Sequence, residues 1–164
     1  MLLLGTCNPP GEADGYNGLY LTDAELRAAV KEQTLLGVPV KTEHAGAEVG
    51  RIVSVFLGPK SELQAVLEVD ENSLTGCLAG GFVRDGVAAD LSLGYTVDVR
   101  HSSESRSESD TSKRLQAGEK RVLEVSLVRK GARKGCHIHA YEDGGRVFVL
   151  DNTSDPWSVF DMGS

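Results

Sequence analysis

The chain has 164 residues and a mass of 17.5 kDa, 40% hydrophobic and 25% charged, which fits one domain that buries its own core and excludes a generally disordered protein. A net charge of −7 and a pI near 5.1 argue against nucleic acid as the main partner, because that partner needs a broad basic face. Cys7, Cys77 and Cys136 form neither a CxxC pair nor a dense framework, which fits a reducing compartment; the apolar run Met1-Leu2-Leu3-Leu4 stops at Gly5, too short for a signal peptide or a membrane span.

That apolar run predicts the start of a first strand. Residues 5–18 are full of turn formers and predict a surface loop, followed by a short strand at Leu19-Tyr20-Leu21. Thr22 and Glu25 have capping-box spacing, and Leu26, Ala29 and Val30 supply an i, i+3, i+4 stripe, so 23–32 is a helix. The runs at 38–40, 49–56 and 63–69 are rich in branched residues and separated by Gly or Pro turns, the pattern of a β-meander. Leu74, Cys77, Leu78 and Phe82 recur at helical spacing and predict a short helix between 71 and 84, weakened by Gly76, Gly80 and Gly81. Asp70-Glu71-Asn72 begins like a calcium loop, but Gly76 comes one place late and position 81 is glycine where the loop needs glutamate.

Residues 91–99 alternate as a half-buried strand, and 122–128 form a denser apolar one. Between them, 101–113 mixes six serines with alternating charges and predicts a mobile loop. Residues 137–141 and 147–150 read as a hairpin around Asp143-Gly144-Gly145, before a polar tail at 151–164.

Three polar residues stand out within this β-rich pattern: His44, Ser92 and Glu124. If they meet, they supply a base, a nucleophile and an orienting acid, and no order along the chain is required. Leu91, Leu93, Tyr95, Val97 and Val99 share one strand face, which leaves Ser92 and Gly94 on the other, with room at Gly94 for a substrate chain. A serine in a strand is structural unless a base lies beside it. Glu124 interrupts a strand that is apolar on both faces, where an unpaired carboxylate is costly, so it needs a partner: an arginine in an ordinary ion pair, or a histidine in a functional one.

His44 lies at a strand end before a glycine-containing turn. His101 borders the serine-rich loop and is a poor candidate. His137 and His139 flank Ile138 after Cys136, a possible metal cluster without a fourth ligand or zinc-like spacing. The basic stretch 129–135 reads as a solvated turn, as a nuclear-import signal, or as a glycine-bounded turn aiming N–H groups at an oxyanion, where one donor is worth about 3–4 kcal/mol.

Taken together, these blocks resemble the capsid maturation proteases of herpesviruses, the assemblin family, and the related prohead proteases of tailed phages, over about residues 20–141. The stretch from Val40 to Arg51, with His44-Ala45-Gly46 and Val49-Gly50, resembles the herpesviral block that carries the catalytic histidine. Leu91-Ser92-Leu93 resembles the nucleophile block of both families, and Ser92-Leu93-Gly94-Tyr95 is more similar to the phage form. Leu123-Glu124-Val125-Ser126-Leu127-Val128 also resembles the phage form, but lacks the Pro-Ala step that follows there; herpesviral enzymes usually have a second histidine at this place. Gly131-Ala132-Arg133 resembles the herpesviral Gly-Arg-Arg oxyanion turn with its first arginine replaced by alanine.

The resemblance implies a serine endopeptidase with catalytic Ser92, His44 and Glu124. Its oxyanion would be held by the Ala132 N–H and by Arg133, whose side chain would fix a water. It implies a single catalytic domain over 1–164 of α+β class, mainly β: a closed, mostly antiparallel barrel surrounded by helices. No cofactor or metal is implied, and neither membrane nor nucleic acid is a partner. The implied substrate is capsid scaffold protein, together with the enzyme's own precursor, cut between a small residue and Ser; a homodimer is implied too. Its place would be the assembling capsid, in a host nucleus if herpesvirus-like and in host cytoplasm if phage-like. The rival readings are a capsid scaffold or interaction module that keeps the barrel without activity, and a metal-dependent hydrolase using His137 and His139.

Overall fold

The computed structural model describes residues 1–9, 21–101 and 115–150. In chain order they form β1 (Leu2–Asn8), α1 (Asp23–Glu32), β2 (Pro39–Thr42), β3 (Ala45–Leu57), β4 (Leu63–Val69), α2 (Leu74–Arg84), β5 (Asp90–His101), β6 (Leu115–Val128), β7 (Ile138–Asp143) and β8 (Arg146–Val149). The class is α+β, mostly strand. The strand at 19–21, the serine-rich loop and the tail at 151–164 fall largely or wholly outside the described residues.

Local signals explain the elements that match expectation. In α1 the Thr22 hydroxyl accepts the Glu25 N–H while the Glu25 carboxylate accepts the Thr22 N–H, a complete capping box at the predicted start. Strand β4 occupies the predicted 63–69, and β2, β3 and β4 are consecutive antiparallel neighbours, the expected meander. Gly144 and Gly145 both adopt positive φ, the requirement of the tight turn joining β7 to β8.

The eight strands form one sheet in the order β5-β6-β2-β3-β4-β1-β7-β8, antiparallel throughout except for the parallel pair β2–β6. This sheet is open, which corrects the closed barrel. Strand β7 spends one edge on β1 and the other on β8, so neither is left for a ladder to β5. Among the described residues β5 meets that end of the sheet through one antiparallel bridge, Asp90 with His137.

Three expectations shift in detail. Strand β1 runs on through Gly5 to Asn8, where the turn formers predicted a loop, because it is paired on both sides, to β4 and to β7. Glycine is required there: a Cβ on Gly5 would stand 2.6 Å from Leu91 Cδ1 and 2.9 Å from the His137 carbonyl. Strand β3 begins at Ala45, four residues earlier than its apolar run suggests. Helix α2 forms, but Leu74, Leu78 and Phe82 face outward; Gly76, Ala79, Gly80 and Val83 are its buried side.

The core lies on one sheet face. Leu3, Val40, Ile52, Leu63, Leu67, Leu91, Val125, Leu127 and Ile138 are buried there with Leu26 of α1 and Val83 of α2. Each such side chain contributes about 1.5–3 kcal/mol on burial. With Leu91 and Val125 turned into this core, the alternation of β5 and β6 sends Ser92, Glu124 and Ser126 to the opposite face.

Candidate active site

The site spans three neighbouring strands, β5, β6 and β2. The β5–β6 register sets Ser92 opposite Ser126 and Gly94 opposite Glu124, so all four share one face. The parallel β2–β6 register sets Lys41 beside Ser126 and Thr42 beside Leu127, which delivers the end of β2 to the same place.

Residue 44 is itself in the turn between β2 and β3. Glu43 and His44 both have positive φ, 49° and 60°, the left-handed pair that a two-residue hairpin demands and that Asn-Gly would satisfy more cheaply. Contacts with β6 hold this unfavourable turn: the Glu43 N–H donates to the Leu127 carbonyl at 3.1 Å, and the His44 N–H to Ser126 Oγ at 2.9 Å. A Glu43 carboxylate oxygen also accepts the Arg129 N–H at 3.0 Å. Backbone strain of this kind persists where surrounding contacts over-determine it.

The imidazole then joins the other two residues. His44 Nε2 lies 2.9 Å from Ser92 Oγ, and His44 Nδ1 lies 2.5 Å from Glu124 Oε1. A carboxylate accepts only, so Nδ1 carries the proton and Nε2 offers its lone pair to the serine hydroxyl. Ser92 and Glu124 are each 8% exposed, whereas the histidine side chain is 43% exposed, so the base is open to solvent above a buried acid. Of the partners expected for Glu124, the structure pairs it with histidine.

Ser126 is a residue of the candidate site that sequence reasoning missed. It is fully buried, donates its hydroxyl to Glu124 Oε2 at 2.6 Å, and accepts the His44 N–H. One hydroxyl therefore holds both the acid and the backbone of the base. The alternation of β6 carried the signal, since Glu124 and Ser126 two residues apart must share a face.

Gly94 is tighter than the open space expected beside Ser92. A Cβ there would stand 2.1 Å from Glu124 Oε1 and 2.9 Å from its Cδ, so the carboxylate lies directly over the glycine. In the hydrolase proposed below, Gly94→Ala is expected to push Glu124 off His44 and lower kcat by about a hundredfold, the usual cost of an ångström-scale misplacement. Steady-state kinetics of the folded variant check this, and unchanged kcat would show that Glu124 need not hold that position.

The basic turn lies beside β5. A Cβ on Gly131 would be 3.0 Å from the Leu91 carbonyl, and the Gly131 N–H donates to Asp90 Oδ2 at 2.7 Å. Ala132 is exposed, and its N–H has no hydrogen-bond partner among the described residues, which leaves it free to donate to a ligand. The Arg133 guanidinium donates to Asn8 Oδ1 and, at 2.8 Å, to Tyr95 Oη, with its carbon 5.7 Å from the Tyr95 ring centre.

The Cys-His-Ile-His stretch diverges. His137 Nδ1 meets Asp90 Oδ1 at 2.7 Å, His139 Nε2 meets Thr6 Oγ1 at 2.7 Å, and Cys136 is buried with its thiol toward the Cys7 carbonyl. Among the described residues no three His, Cys, Asp or Glu side chains group as metal donors. Burial pushes the Cys136 thiol up to about 12 and raises the Cys7 thiol too, the neighbouring Cys136 adding to that shift, so both stay protonated and poorly nucleophilic.

No family model matches the chain, and no curated protein matches it. Geometry and chemistry carry the functional reading. Among the described residues no helix is long and apolar enough to cross a membrane.

Proposed function

We propose that this protein is a serine endopeptidase using a Ser92-His44-Glu124 triad. One observation carries the reading: a single imidazole bridges a serine hydroxyl at 2.9 Å and a buried carboxylate at 2.5 Å, the arrangement that activates a serine. Ser92 attacks the peptide carbonyl while His44 Nε2 takes its proton and then returns it to the leaving amine. Glu124 keeps Nδ1 protonated and stabilises the imidazolium. We assign the developing oxyanion to the Ala132 N–H and Arg133.

Within that class we assign the protein to capsid maturation, on the blocks around His44, Ser92 and Glu124 that resemble assemblins and prohead proteases. Its substrate is then capsid scaffold protein and its own precursor, inside the assembling particle. The open sheet departs from the closed barrel of that resemblance, so the assignment rests on the site and its motifs. A homodimer belongs to the proposal, and the outward Leu74, Leu78 and Phe82 of α2 are apolar surface for a second copy to cover.

The rival of an inactive capsid module would be favoured by a displaced His44 or Glu124, and these two are in hydrogen-bond contact. Incubation with peptides that join a small residue to Ser is expected to yield cleavage at that step, with the active species sedimenting as a dimer. Ester turnover without cleavage of any such peptide would sink the capsid assignment and leave a general hydrolase.

A further inference from the structure

The triad leaves a second histidine–carboxylate pair unused. Asp90 is the first residue of β5, two places before Ser92, and only 8% exposed. Its two oxygens serve different partners: Oδ1 faces His137 Nδ1 at 2.7 Å, and Oδ2 accepts the Gly131 N–H at 2.7 Å. The far end of the basic turn is fastened to the start of β5 and the residue before it, because the Leu91 N–H donates to the Cys136 carbonyl at 2.7 Å and the Ile138 N–H to the Ala89 carbonyl at 2.9 Å. Residues 131–135 are thus clamped at both ends to the three residues that precede the nucleophile.

We infer that Asp90, steadied by His137, is a positioning residue that seats the oxyanion turn against the nucleophile strand. The inference rests on the hydrolase reading and deepens it. With the Gly131 N–H consumed by Asp90, the next amide in the turn, that of Ala132, is the donor left to the oxyanion. A donor helps only if it is already in place when charge develops, and a free glycine-bounded turn would have to be ordered during the reaction. A buried carboxylate gripping the first amide supplies that order. The imidazole on its other oxygen stops it from rotating away and offsets the cost of burying it.

The test uses the whole chain with 4-nitrophenyl acetate as probe and follows kcat, KM and hydrogen exchange at the Gly131 amide. Asp90→Ala is expected to lower kcat by about tenfold to a hundredfold with KM within about twofold, and to release Gly131 to fast exchange. Asp90→Asn is expected to restore most of kcat and slow exchange again. Its Oδ1 can accept the Gly131 N–H while its Nδ2 donates to an unprotonated His137 Nδ1. His137→Ala, which keeps the Gly131 bond but frees the carboxylate to swing, is expected to cost about threefold to tenfold in kcat and serves if Asp90→Ala does not fold.

Wild-type kcat in Asp90→Ala or in His137→Ala, equal losses in the alanine and asparagine variants of Asp90, or unchanged Gly131 exchange would each overturn the inference. If the unsubstituted protein releases no nitrophenol, the hydrolase reading fails and the catalytic role of Asp90 falls with it; exchange at Gly131 then decides whether the clamp exists.

Discussion

Replacing Ser92 by alanine is expected to cut hydrolysis by about 10⁶-fold in kcat, which corresponds to about 8 kcal/mol of transition-state stabilisation. The loss is this large because the members of a triad act as a unit: without the hydroxyl, His44 has no proton to take, and only the oxyanion donors and substrate binding still act on an attacking water. The fold should tolerate the change. Ser92 sits on the sheet face opposite the core, and among the described residues its hydroxyl bonds to the half-exposed His44. A matched thermal melt with a residual rate near background is the expected pair of results; turnover within tenfold of the parent would remove Ser92 as nucleophile.

Glu124→Gln is expected to lower kcat by about 10⁴-fold with little change in stability, through the tautomer of His44. The Ser126 hydroxyl donates to one Glu124 oxygen and the other meets His44 Nδ1. A glutamine that keeps its oxygen toward Ser126 must turn its amide nitrogen toward the imidazole. Nδ1 then has to accept, the ring proton moves to Nε2, and the atom facing Ser92 is no longer a base. Glutamate has a second duty, since its charge stabilises the imidazolium that forms when Ser92 loses its proton. A loss below tenfold in a folded Glu124→Gln protein would reduce this residue to a structural partner of His44.

What could be read from the sequence follows the range of the forces involved. Helix α1, strand β4 and the β7–β8 turn were legible because each is decided by residues a few positions apart: Thr22 with Glu25, a run of branched residues, paired glycines. The site residues His44, Ser92 and Glu124 were legible as candidates from motif resemblance, and Glu124 also from its misfit in an apolar strand. Their meeting was not, because it depends on the parallel β2–β6 pairing, which no local pattern announces. The early start of β3 was hidden for a related reason: its turn uses Glu43 and His44 where turn chemistry favours asparagine and glycine, and β6 supplies what those residues lack.

Other features went unread because their meaning lies across the sheet. Gly5 resembles a turn former until Leu91 is brought against it. In α2 the apolar spacing announced a helix but not its buried side; close approach selected the glycine side, where a Cβ on Gly76 would stand 1.7 Å from the Asp70 carbonyl. Asp90 shares a face with Ser92, and Ser126 with Glu124, by simple alternation, so both were open to the sequence once Ser92 and Glu124 had been chosen.

Labelling with a fluorophosphonate, followed by peptide mapping, tests the serine-hydrolase reading most directly. One covalent adduct on Ser92 is expected in the parent protein, lost in Ser92→Ala and formed orders of magnitude more slowly in Glu124→Gln. An adduct on another residue, labelling that survives Ser92→Ala, or no adduct at all would contradict it.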